Sequence, residues 1–212
     1  MDRKYVEYFW TSTSVPSHDY VFPAVLKLIR ITNLSGEAFI LDTGCGGRAL
    51  VKFLYAHGFQ NVYGFDASPS GIELAKMNYS EISDRFFVHD VYESKLPEWV
   101  PSKYDLIVST EVIEHLYDPQ TYLSNIKKWL AENGYVILTT PYHGYLKNLL
   151  IALLDKHDDH YNPLWAGGHI KFFSKSTIAK LVNEAGFQII SFCGCGRLPF
   201  LWKSMAILAK KR

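Results

Sequence analysis

Glu111, Glu114 and His115 are spaced E-x-x-E-H in the stretch STEVIEHL, and two further histidines, His143 and His169, lie downstream. Imidazoles exchange protons near neutral pH, which makes His115 and His169 the candidate bases for taking a proton from a hydroxyl. If the motif opens a helix, its i, i+3 spacing sets Glu111 and Glu114 on one face with His115 beside them. A second group of residues suits nucleotide binding. Asp42, Gly44, Cys45 and Gly46 make up the turn DTGCG, and Asp66 stands 20 residues beyond Gly46. Glycines let the backbone approach a ligand and take positive φ, and an acidic residue at that distance can accept hydrogen bonds from both hydroxyls of a ribose. Asp90, in HDV, could receive an exocyclic amine. Each acid also has a plainer reading, as a helix cap or a solvated loop charge. The KHDDH run at 156–160 could bind a metal but reads rather as a solvated loop, and Cys193 and Cys195, in FCGCG, read as reduced thiols, C-x-C alone being a weak metal signal.

These residues must be positioned by the elements around them. Helix-like apolar spacing covers 17–31, and apolar strands then alternate with amphipathic helices. The pattern predicts strands at 38–42, 61–66, 85–89, 104–109 and 134–140, and helices at 47–57, 69–79 and 119–131. Ser68 and Pro69 supply a cap and a first helical position for the second of those helices. Such alternation implies parallel pairing and an α/β, doubly wound sheet, whose ligands bind past the carboxyl ends of the strands. A helix at 175–185 then leads to strands at 187–192 and 203–209, joined by a short connection without a helix. Those two strands should pair antiparallel. Residues 141–173 break the alternation and are expected to be a lid or substrate-binding insertion, while residues 1–33 form an N-terminal helical gate running through Arg3 to Tyr20.

With 212 residues, 48% hydrophobic and 20% charged, the chain fits a single globular domain. A formal charge of +1 argues against a broad surface for long nucleic acid. The N-terminal MDRKYVEYFW lacks the apolar core of a signal peptide, and the longest apolar run, LLIALL at 149–154, is far short of the ~18 residues of a membrane span. The expectation is a cytoplasmic protein without a transmembrane segment.

The stretches ILDTGCGG, VYGFDASPSGIELAK, HDV, YDLIVSTEVIEHLYDP, GYVILTTP and HIKFFSKSTIAKLVNEAGF together resemble the class I S-adenosylmethionine-dependent methyltransferases, from about residue 38 to the end. They look most like the branch holding the ubiquinone-biosynthesis O-methyltransferases. The resemblance implies a Rossmann-like seven-stranded sheet with an antiparallel last strand, helices on both faces, and S-adenosylmethionine as methyl donor, leaving S-adenosylhomocysteine. It further implies that Asp42, Gly44, Cys45 and Gly46 line the methionine and ribose part of the cofactor and that Asp66 binds the ribose hydroxyls, with Ala67 beside the adenine. Asp90 and Val91 would hold the adenine rim, and Thr110 and Glu111 would flank the methionyl end. The expected reaction is methylation of a small-molecule acceptor at a hydroxyl oxygen. One departure stands out: Arg48 occupies the place where relatives usually carry a third glycine.

Two other readings stay open. Gly44, Gly46 and Ala49 also satisfy G-x-G-x-x-A, so an NAD-dependent oxidoreductase fits the turn, although no Tyr-x-x-x-Lys pair is present. A non-catalytic domain that binds cofactor or a partner through 141–173 is the other. In relatives with a matching E-x-x-E-H the motif helps to hold a divalent metal on the substrate oxygens; here a metal remains an option, with plain helix-start residues as the alternative. The insertion YLKNLLIALLDKHDDHYNPLW could be a packed lid helix or a cap over an apolar acceptor reached at a membrane surface.

Overall fold

The computed structural model describes residues 17–46 and 49–212. Seven strands form one sheet: β1 Phe39–Thr43, β2 Asn61–Asp66, β3 Phe86–Val88, β4 Tyr104–Thr110, β5 Leu130–Pro141, β6 Phe187–Cys195 and β7 Ser204–Lys211. Their spatial order is β3-β2-β1-β4-β5-β7-β6. The first five pair parallel, and β7 runs antiparallel to both of its neighbours, β5 and β6. The doubly wound sheet with an antiparallel last strand is therefore present.

Strands buried on both faces must be apolar on both faces, and successive side chains sort to opposite sides. Ile40, Val62, Phe86, Leu106, Val108, Ile137 and Leu208 enter one core layer, with α1 His18–Thr32, α2 Ala49–Ala56 and α3 Pro69–Asn78 above it. Leu41, Phe65, Phe87, Ile107, Val136, Leu138 and Ile207 enter the other, under α4 Pro119–Trp129 and α7 Lys175–Glu184. Ser68 caps α3 by accepting from the Gly71 amide, Asp118 caps α4 through the Thr121 amide, and Ser174 caps α7 with a reciprocal capping box. Pro23 lies inside α1.

Two elements depart from the sequence expectation in ways that matter for the site. β5 begins at Leu130, ahead of the expected 134, because Leu130 pairs with Tyr104 before an irregularity in the ladder. E-x-x-E-H does not open a helix. Glu111 has φ +53, Ile113–His115 is a single 3₁₀ turn, and α4 starts only at Pro119. The left-handed residue reverses the chain just past β4, so helical i, i+3 spacing does not apply to Glu111 and Glu114. Within 141–173 lie two short helices, α5 Tyr145–Leu153 and α6 His157–Tyr161. Most of the expected gate, residues 1–16, falls outside the described residues, as do Gly47 and Arg48. No helix among the described residues is long and apolar enough to cross a membrane.

Candidate active site

The chain turns back between β1 and β4, and the crevice outside their carboxyl ends is where an open α/β sheet takes its ligand. Gly44 is the floor of that crevice. Its φ is +73, and a Cβ there would come within 2.5 Å of Val112 Cγ2, so a glycine is needed both for the turn and for close packing against the chain leaving β4. The amides of Gly44 and Cys45 donate to the Phe65 carbonyl at 2.8 and 2.9 Å, which ties the turn to β2. Asp66 completes the link: its carboxylate accepts from the Gly46 amide at 2.8 Å and from the Ser68 amide at 2.9 Å. Burial raises the Asp66 pKa, against the pull of backbone amides of Ser68, Gly46 and Ala67.

Asp42 is a second carboxylate in the crevice, 1% exposed, and its Oδ1 has no hydrogen-bond partner among the described residues. Burial, reinforced by Asp66, holds its pKa well above the usual carboxylate range. A buried oxygen left without a donor is costly unless a ligand supplies one, and an ammonium group would do so. Asp90 follows β3, its carboxylate accepting from the Tyr92 amide at 2.9 Å, with Val91 buried beside it. Thr110 ends β4 opposite Thr139. Asp42, Gly44, Cys45, Gly46, Asp66, Ala67, Asp90, Val91, Thr110 and Glu111 thus all stand just past, or at the ends of, β1 to β4.

Glu111 and Glu114 go separate ways. Glu111 accepts from the Thr139 hydroxyl at 2.8 Å and from the Ser204 hydroxyl at 2.9 Å, and burial raises its pKa to about 7. Ser204 escaped the sequence reading. It is the first residue of β7 and pairs with Pro141, so the antiparallel return delivers it to the carboxyl end of the sheet. The start of a returning hairpin strand was the signal that could have found it.

Glu114 is fully buried, and neither carboxylate oxygen has a hydrogen-bond partner among the described residues. Burial, then the charge of Glu111, drives its pKa well up. The insertion folds back over it: the Ile170 and Lys171 amides both donate to the Glu114 carbonyl at 2.9 Å. That return carries His169 over the carboxylate, with Nε2 4.0 Å from Oε1. His115 Nδ1 lies 2.9 Å from the Gly167 carbonyl, an arrangement in which Nδ1 donates and Nε2 keeps its lone pair. One ligand atom each from Glu114, His115 and His169 lies within 4.8 Å of the others. His169 is held at about 4, mainly by burial and then by His115, so its imidazole is neutral. An orphaned carboxylate with two imidazoles, one oriented by a carbonyl, is a donor set that fits a divalent cation.

His143 sits nearby under the insertion, 6% exposed, with neither ring nitrogen hydrogen-bonded among the described residues. It stacks on Tyr161 at 5.7 Å and meets Phe172 edge-on at 5.2 Å. The KHDDH residues lie in and beside exposed α6, and among the described residues they join no three-residue metal grouping. Cys193 and Cys195 are free thiols.

The sequence model for the family described as "Methyltransferase domain" matches residues 20–192. The mitochondrial ubiquinone biosynthesis O-methyltransferase of Schizosaccharomyces pombe is 29% identical over 167 residues, spanning 77% of this chain and 60% of that protein. The ubiquinone biosynthesis O-methyltransferase of Aromatoleum aromaticum is 24% identical over 194 residues, 90% of this chain and 82% of that protein. Among solved structures, magnesium protoporphyrin IX methyltransferase from Synechocystis with bound S-adenosylhomocysteine superposes with a TM-score of 0.67 at 20% identity, covering 91% of this chain and 82% of that one. The [4+2]-cyclase SpnF gives a TM-score of 0.71 at 12% identity over 97% and 86%. The chain thus belongs to the methyltransferase-domain family and resembles the ubiquinone-biosynthesis branch of the class I S-adenosylmethionine-dependent enzymes.

Proposed function

We propose that the protein transfers the methyl group of S-adenosylmethionine to a hydroxyl oxygen of a small, partly apolar acceptor. The observation that carries this reading is the Glu114 carboxylate, fully buried and without a partner, facing His169 and His115 at the edge of the cofactor crevice. The cofactor supplies an electrophilic methyl carbon on a sulfonium, and the protein's part is alignment. Asp66 binds the ribose hydroxyls, Asp42 offers its free oxygen to the ammonium end, and Asp90 with Val91 borders the adenine. Gly44 keeps the floor open, while Thr110 and Glu111 border the reacting end.

Glu114, His115 and His169 would hold a divalent cation, whose chemistry would be to acidify an acceptor hydroxyl bound to it. A neutral imidazole of His115 or His169 takes the acceptor proton where no metal is present. The insertion 141–173 closes over this end as a lid, and the helix that begins at His18 forms the described part of the gate. The free thiols of Cys193 and Cys195 suit a reducing, cytoplasmic compartment.

A screen of hydroxylated acceptors with radiolabelled S-adenosylmethionine is the direct test. Label transfer should occur, should fall after EDTA treatment and return with Mg²⁺ or Mn²⁺, and should drop at least 100-fold in Glu114→Gln. Failure of S-adenosylmethionine to bind in a calorimeter would overturn the reading; transfer indifferent to EDTA would overturn the cation alone. Binding of NAD instead would favour the oxidoreductase.

A further inference from the structure

The transfer reading gives His143 no task, although its burial calls for one. The ring is 6% exposed, two residues past β5, and neither nitrogen is hydrogen-bonded among the described residues. A second orphan belongs to α5: Asn148 Oδ1 is buried without a donor there, and Asn148 lies close enough to act on the His143 pKa. Three buried polar atoms left unsatisfied side by side point to a ligand, since each has given up its water. The walls are aromatic. Tyr161 stacks on the imidazole, Phe172 and His160 meet it edge-on at 5.2 and 5.7 Å, and Tyr161 meets Phe172 at 5.0 Å. The charged and titratable groups around it are basic. Lys147, His160 and His169 all lower the His143 pKa, and Lys147, Arg197 and His157 lower that of His160. The Lys147 ammonium donates to the Tyr142 carbonyl at 2.8 Å and the Lys203 carbonyl at 3.3 Å, which carry no formal charge to neutralise it. Glu111 is the carboxylate acting on Lys147, and it is already held by Thr139 and Ser204. The acids of α6 are exposed, Asp159 lying 2.9 Å from Lys156 and Asp158 3.5 Å from His157.

We propose that His143 and His160, in the positive field of Lys147 and Arg197, form a subsite for an anionic oxygen group, a carboxylate or a phosphate, carried by the methyl acceptor. Low-dielectric walls lined by one sign of charge focus a field that draws in the opposite charge. With an anion beside it, the His143 imidazole takes up a proton and donates from both nitrogens, one to the anion and one to Asn148 Oδ1. All three orphaned atoms are then satisfied. His160 adds a donor from α6, while Lys147 from α5 and Arg197 from the β6–β7 turn add charge. His169 acts on both His143 and the Glu114 side of the site, so an acceptor held here by its anion has its hydroxyl directed toward Glu114, His115 and His169. That the anion belongs to the acceptor rests on the transfer reading; the anion subsite itself does not.

Saturation-transfer NMR titration of the full chain with S-adenosylhomocysteine bound tests this, with benzoate, phenyl phosphate and the neutral benzamide as probes. Benzoate or phenyl phosphate should bind about tenfold or more tightly than benzamide, and the tighter of the two identifies the anion. His143→Phe keeps the aromatic packing and should remove that preference, His160→Phe should reduce it, and His143→Gln, which retains a donor, should recover part of it. S-adenosylhomocysteine affinity and the circular-dichroism spectrum should be unchanged in all three. Absence of binding by every probe, benzamide binding as tightly as the anions, or a preference that survives His143→Phe would overturn the proposal. Anion binding lost in His143→Phe, in a chain that transfers no label to any acceptor, would overturn the transfer reading and the anion's place on an acceptor, and leave the subsite standing.

Discussion

Glu114 and Asp42 present the same physical situation at two points of the crevice, a buried carboxylate with an oxygen that no described residue satisfies. Asp66 is different, because backbone amides already hold it. Its remaining lone pairs are what a ribose diol can use, so Asp66→Ala should weaken S-adenosylmethionine binding by about 1–3 kcal/mol in a calorimetric titration. Unchanged affinity would remove Asp66 from the cofactor site. His143 gives a prediction about pH. Burial first, then Lys147, His160 and His169, hold its pKa at about 4, below the ordinary 6.5. Between those values the unfolded chain binds more protons than the folded one, so this group's contribution is lost as pH falls through that window. His143→Phe should therefore gain thermal stability relative to the parent at pH 5 compared with pH 8. A variant-to-parent difference in Tm that is equal at both pH values would contradict this.

Elements matter through what their ends bring together. The turn after β1 and the chain after β4 meet at Gly44 and Val112, so the crevice depends on two connections packing without a side chain between them. Gly44→Ala has to push aside Val112 and occupy a positive φ, at a cost of about 1–3 kcal/mol in backbone strain and overpacking. Its Tm should fall by several degrees, with cofactor affinity reduced about tenfold. Adding Val112→Ala should recover part of the loss and leave the φ penalty; full recovery would show that strain at Gly44 is negligible. Residues 141–173 act in the same way, since their return past Ile170 and Lys171 places His169 over Glu114.

Across the whole molecule, the two core layers are continuous over the sheet, while α5 and α6 bury one side chain between them, Lys147. Stability should accordingly be uneven. Amides of β1, β4 and β5 should exchange with solvent last, and those of 145–161 orders of magnitude sooner, in hydrogen exchange followed by mass spectrometry. Equal protection of 145–161 and β4 would show that this segment unfolds only with the domain. The proposed transfer would also need 141–173 to open for an acceptor, since both His143 ring nitrogens are enclosed.

Local pattern alone determined the strand and helix alternation, the parallel core, the antiparallel return and the positions of Asp42, Gly44, Asp66 and Asp90 at or just past the strand ends. Each rests on short-range periodicity and turn chemistry, which neighbouring residues specify. The partners of E-x-x-E-H were not local. A single left-handed residue, Glu111, split the motif, sending one carboxylate to Thr139 and Ser204 and the other to His169, 55 residues along the chain from Glu114. The apolar run at 149–154 could read as a packed helix or an outward cap, and only the tertiary placement of Lys147 turned its leucines toward solvent. Sequence spacing describes what residues can share within one element; which side chains converge from different elements is settled by how those elements pack.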